Sequence, residues 1–237
     1  EDGIRDRDVT GVQTCALPIC ALPDWSGVWT PNWTDQVAQV QSNPLPWKPE
    51  YGARIARMIA DDVAGRPAGL FVNCLPEGMP SWMLINHNAL EFLFTPGRVT
   101  ILGESDGNRL RRIYTDGRGH PDDPAPTFHG HSIGHWEKDT FVVESNGFND
   151  KTWIDAIGHP HGEKLRLTER YHRRDFGHIE LQLTVNDPDW YEKPWSVTLL
   201  LEMTCVTAAR SVAGSYVICL MKKRFTPRLP TAPSIKV

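Results

Sequence analysis

The feature that most constrains this chain is a succession of short, alternating apolar runs separated by turn dipeptides, filling the sequence from Ala89 onward. The clearest is His178 to Val185, where Ile179, Leu181, Leu183 and Val185 share one face and His178, Glu180, Gln182 and Thr184 the other. Side chains of an extended chain point to opposite faces in turn, so this pattern is a strand with one face buried. Leu90 to Thr95 and Arg98 to Glu104 flank Pro96-Gly97, and Arg109 to Thr115 follows Asp106-Gly107. Short connections of this kind make a meander of hairpins. Lys164 to His172 and Trp195 to Leu201 continue the series, and Asp24 to Thr30 is an aromatic first strand.

A single helix interrupts the pattern near residues 50–64. Pro49 stands at a favourable first position, Tyr51, Ile55, Met58, Ile59 and Val63 recur at helical spacing, and Gly65-Arg66-Pro67 ends the pattern. There is no strand–helix alternation, which argues against a parallel α/β sheet. Nor is there a fixed-length repeat, which argues against a propeller. About nine strands in sequence, mainly antiparallel, close most economically into an up-and-down, lipocalin-like barrel, because closure removes both edges. A two-sheet β-sandwich is the alternative.

The chain has 237 residues, with 40% hydrophobic and 23% charged, enough to bury a sizeable core. A net charge of -4 gives no reason to expect nucleic acid as a partner, and no run is long enough for a membrane-inserting helix. The five cysteines, Cys15, Cys20, Cys74, Cys205 and Cys219, match no zinc spacing, and an odd count does not make a full disulfide framework, although one bridge at Cys74 is compatible with it. Residues 1–19 show no period and resemble sequencing-adapter read-through, so residues 1–20 are expected to be a non-native or disordered arm. Residues 203–237 carry no acidic residue and read as a basic tail or an altered end. The barrel domain is expected over 21–202.

All histidines but one fall between His120 and His178. In the hairpin Thr127–Gly147, strict alternation puts His129, His131 and His135 on one face and Phe128, Ser132, Gly134 and Trp136 on the other. With the histidines inward they make a site; with Phe128 and Trp136 inward they make a wet outer face. The inward case offers two chemistries. Imidazole beside a carboxylate works as acid or base near neutral pH, which nominates His131, His135, His161 and Glu169 as catalytic. Arg112 suits an anionic substrate group, and Tyr114 and Tyr171 suit hydrogen bonding. Trp136 is a candidate substrate contact, although a core role is the simpler reading. The second chemistry is a metal site on His129, His131 and His135, for which a divalent ion such as zinc is the fitting cofactor. Against both stands a structural reading: Glu169 with Arg112 as a buried ion pair, and the loop histidines His120 and His159 as exposed surface. The expected partner is a small-molecule ligand. The expected activity is a hydrolase, lyase or isomerase reaction in a histidine-rich barrel pocket. The alternatives are a non-catalytic barrel for a small apolar or aromatic ligand, or a metal-binding protein.

Several motifs recur in order: Asp24-Trp25-Ser26-Gly27-Val28-Trp29-Thr30, Arg111-Arg112-Ile113-Tyr114-Thr115-Asp116-Gly117-Arg118, Gly130-His131-Ser132-Ile133-Gly134-His135-Trp136-Glu137, Gly147-Phe148-Asn149-Asp150-Lys151-Thr152-Trp153, Pro160-His161 and Thr168-Glu169-Arg170. Over roughly Ala21 to Leu201 the chain resembles a group of exported β-rich bacterial proteins frequent in sphingomonads and acidobacteria. The resemblance implies a periplasmic or secreted β protein and carries no mechanism with it. Gly27-Val28-Trp29 also resembles the Gly-x-Trp start of lipocalin-like barrels.

Overall fold

The alternating runs form strands, and the strands close. A computed structural model describes residues 24–32, 34, 38, 41–66, 74–84, 88–104, 109–155 and 159–204. The expectations for residues 1–20, for the tail beyond 204 and for the turn at Asp106-Gly107 lie outside these residues. The strands are β1 (Val28–Pro31), β2 (Leu90–Thr95), β3 (Arg98–Gly103), β4 (Arg109–Tyr114), β5 (His131–Glu137), β6 (Thr140–Asn146), β7 (Arg166–Arg173), β8 (His178–Asn186) and β9 (Trp195–Thr204). They form one closed barrel in sequence order, with β1 pairing β9 from Val28↔Thr204 to Pro31↔Leu201. The barrel, and not the sandwich, is the architecture.

One pairing departs from the up-and-down scheme. β4 and β5 are parallel, through Ile113↔Ser132 and Tyr114↔Ile133. Two-residue turns join antiparallel strands, whereas a parallel neighbour needs a crossover. The segment 115–130 supplies it as an outer strap from the end of β4 back to the start of β5.

The inner faces fill the bore. Phe92, Ile101, Ile113, Phe141, Val143, Leu167, Tyr171, Leu181, Leu183 and Leu199 are all buried in one core cluster. Two strand glycines make room for large rings. A Cβ on Gly134 would stand 2.7 Å from the Phe141 ring, and one on Gly103 would stand 2.6 Å from Trp82. Trp82 belongs to the short helix Ser81–Leu84, all of whose residues are buried. The same segment is tied in by Met79 N–H donating to Phe128 O at 2.9 Å and Thr152 Oγ1 donating to Met79 O at 3.1 Å.

The expected helix spans Gly52–Val63 after a 3-10 turn at Pro49–Tyr51. Its apolar stripe is only partly used. Ile55 is buried, while Ile59 and Val63 are exposed. Tyr51 stacks on Trp190 at 4.2 Å and Arg54 lies over the same ring, which fixes the helix beside the β8–β9 loop.

Candidate active site

The inner face of β4 carries Arg109, Arg111 and Ile113, so Arg112 and Leu110 point outward into solvent. The pocket face expected for β4 is therefore the opposite one, and Glu169 pairs with Arg111 instead of Arg112. Arg111 Nη1 and Nη2 donate to the two Glu169 oxygens at 2.8 and 2.5 Å. Its Nε and Nη2 also donate to Ser132 Oγ, at 3.2 and 3.1 Å, and Nη2 to Ser145 Oγ at 2.9 Å. Tyr171 O–H donates to Glu169 Oε1 at 2.7 Å. Burial by itself would lower the Arg111 pKa, but the adjoining Glu169 carboxylate carries it above the ordinary value. Burial, and then the Glu169 charge, drive the Tyr171 phenol well above its usual range. This is a closed polar knot inside an apolar bore. Its members satisfy one another, as a buried pair requires.

The histidines do not converge on this knot. Gly130 adopts a positive φ of 66°, where a side chain would strike Asn146 O and Phe148, and this breaks the alternation of the hairpin. Beyond it Ser132, Gly134 and Trp136 face inward, and Trp136 packs on Trp25, Phe94 and Phe141. His131 faces outward, where its Nδ1 meets His120 Nδ1 of the strap at 2.9 Å and its ring stacks on Tyr114 at 5.4 Å. His135 is also outward, 3.3 Å from Glu137. His129, on the other side of Gly130, is turned in against Trp82 at 5.6 Å. Burial, with Arg111 and Arg109 nearby, lowers its pKa to about 4. The three histidines considered for a metal thus occupy three separate environments. Among the described residues no group of three or more His, Cys, Asp or Glu side chains is placed to hold an ion. His161 is buried, its Nδ1–H donating to Gly162 O at 3.0 Å and its Nε2 meeting Thr152 Oγ1 at 2.6 Å. Cys74 is an exposed free thiol.

A different pair joins an imidazole to a buried carboxylate. In the β6–β7 loop, His159 Nδ1–H donates to Asp155 Oδ2 at 2.6 Å. Asp155 is 2% exposed and the His159 side chain 13%. The loop is held shut around them. Ile154 N–H donates to His159 O at 2.7 Å, Trp153 bridges Pro160, and Tyr191 O–H donates to Pro160 O at 2.9 Å. A carboxylate on Nδ1–H fixes the tautomer and leaves Nε2 as the basic lone pair. Nε2 makes no hydrogen bond among the described residues, and the His159 side chain keeps part of its surface exposed. Trp47 lies against it at 4.9 Å and continues into Tyr191 at 4.8 Å. The Tyr191 phenol is pushed up by burial and then by Asp155 and Asp187, so it stays a neutral donor.

Comparison with known proteins adds no assignment. No family model matches the chain, and no curated protein matches it significantly. His159 was assignable from sequence only as loop surface. The Asp155–His159 spacing of four residues was its one local signal. The aromatic wall comes from Trp47 and Tyr191, which are far away in the chain.

Proposed function

We propose that this barrel is a small-molecule enzyme whose general base is His159, oriented by Asp155 on the barrel rim, acting on a small aromatic substrate held against Trp47. The 2.6 Å carboxylate–imidazole contact carries the reading. A buried carboxylate stabilises the imidazolium that forms when Nε2 accepts a proton, and it aims the ring. In hydrolysis, Nε2 takes a proton from water as the water oxygen bonds to the substrate carbonyl carbon. The same proton is then returned to the leaving oxygen as its bond to carbon breaks. Elimination or isomerisation would use the same lone pair on an acidic C–H. The polar knot around Arg111 and Glu169 serves as core support in this reading.

The experiment is turnover of a panel of aryl esters and β-eliminating aryl ethers by the full chain, its His159→Ala variant and its Asp155→Asn variant. The expected outcome is a loss in kcat/KM of about 10²–10⁴-fold for His159→Ala, with the thermal midpoint kept. Equal turnover by His159→Ala and the parent protein would overturn the assignment. The contacting aromatic set Trp47, Tyr191, Trp190 and Tyr51 supports a second reading, a non-catalytic site for an aromatic ligand. Saturable quenching of tryptophan fluorescence by the aryl esters without turnover would select it. We take the working compartment to be the periplasm or the cell exterior, a reading supported by the motif resemblance. Recovery from the host's cytoplasm alone would contradict it.

A further inference from the structure

A groove of about 450 Å³ runs under the strap on the outer face of the barrel, and neither Asp155 nor His159 lines it. One wall is the strap segment carrying Asp122, Asp123, Pro124 and Pro126, and the opposite side holds Arg166 at the start of β7. The strap is fastened at its base by the contact between His120 and His131. Asp122, Asp123 and Arg166 are exposed, and none of their side chains forms an ion pair or hydrogen bond among the described residues. Glu163 and Lys164 line the groove as well, with Lys164 Nζ paired to Asp189 Oδ1 at 3.0 Å, so acidic side chains and the Arg166 guanidinium share it without a bond between them. Asn146 lines the same groove, is 9% exposed, and its Oδ1 is buried with no hydrogen-bond partner. A buried acceptor without a donor is costly, so a ligand donor that meets this oxygen as the Asn146 side chain turns toward the groove is favoured.

We infer that this groove binds a short peptide with both termini free, of about dipeptide size. Each demand of the groove matches one group of such a ligand. Arg166 suits the carboxylate, because a guanidinium grips two oxygens at once. Asp122 and Asp123 suit the ammonium. The buried Asn146 oxygen suits the peptide N–H between them. Pro124 and Pro126 offer apolar contact to a small side chain. The volume lies within the range of small-molecule sites. This site is independent of the rim dyad, so either assignment can fail without the other.

The test is an amide NMR shift titration of the full chain with dialanine, N-acetyl-dialanine and dialanine amide. Saturable shifts clustered on Asn146, Asp122 and Arg166 are expected with dialanine. Either blocked peptide should bind at least tenfold more weakly. Arg166→Ala, a substitution at an exposed position, should weaken dialanine to the level of its amide and leave the amide itself unaffected. Asp122→Asn with Asp123→Asn should do the same for the acetylated end. No saturable shift by about 10 mM dialanine, which corresponds to an affinity weaker than the millimolar class, would overturn the proposal. So would equal binding of free and blocked peptides.

Discussion

Replacing Glu169 with leucine removes the carboxylate that three hydrogen bonds converge on, and the consequence can be worked from the bore. Glu169 is 0% exposed and its Arg111 partner 1%. Without it, the guanidinium keeps only Ser132 and Ser145, which are neutral, and the Tyr171 O–H loses its acceptor. Orphaning one member of a buried pair costs about 3–5 kcal/mol. For a domain of this size that corresponds to a fall in Tm of about 6–20 °C. The cost is a large fraction of the 5–15 kcal/mol that typically holds a domain together. Replacing both partners, Arg111→Met with Glu169→Leu, removes both charges together and should be milder than either single change. Urea denaturation of the four proteins in a double-mutant cycle reads the coupling, expected above about 2 kcal/mol. If Glu169→Leu cost less than about 1 kcal/mol, or the two single costs simply added, the description of the knot as a mutually satisfied core pair would be refuted.

Two further outcomes follow from single residues. His129 is held neutral to about pH 4, against 6.5 for an unfolded histidine. Between those values the unfolded chain binds more protons than the folded one. Stability is therefore full above pH 6.5, falls as pH drops and levels off below about pH 4. The difference is worth up to about 3 kcal/mol, so urea midpoints of the parent should drop more steeply than those of His129→Gln over this range, and parallel profiles would contradict it. A methyl on Gly134 would press on Phe141 and Ile113, at 2.7 and 2.9 Å. Gly134→Ala should cost about 1–3 kcal/mol in thermal unfolding, and a neutral result would mean that β5 can shift outward at no cost.

The barrel was legible because β8 and its neighbours alternate cleanly and turn dipeptides mark their ends. The inward face of β4 was not. Arg109-Leu110-Arg111-Arg112-Ile113-Tyr114 places arginine on both faces, and only the barrel shows that Ile113 outweighs Leu110, which stays 43% exposed. In β5 the histidine periodicity was real, but Gly130 resets the alternation, separating His129 from His131. Gly134 then leaves the space that the Phe141 ring fills from the neighbouring strand. The parallel pairing of β4 with β5 depends on a strap whose path has no local code. The rim was the least legible part, because Trp47, Asp155, His159 and Tyr191 meet only once three loops have been placed by the closed sheet.

If His159 carries the proposed chemistry on the rim and the bore only supports it, the two sites respond differently to substitution. The direct measurement compares kcat/KM for the same aryl ester in His159→Ala and Tyr171→Phe, both checked for folding. A loss of about 10²–10⁴-fold is expected in the first and an essentially unchanged value in the second. Full activity in His159→Ala together with its loss in a folded Tyr171→Phe would contradict the rim proposal and return the site to the barrel interior.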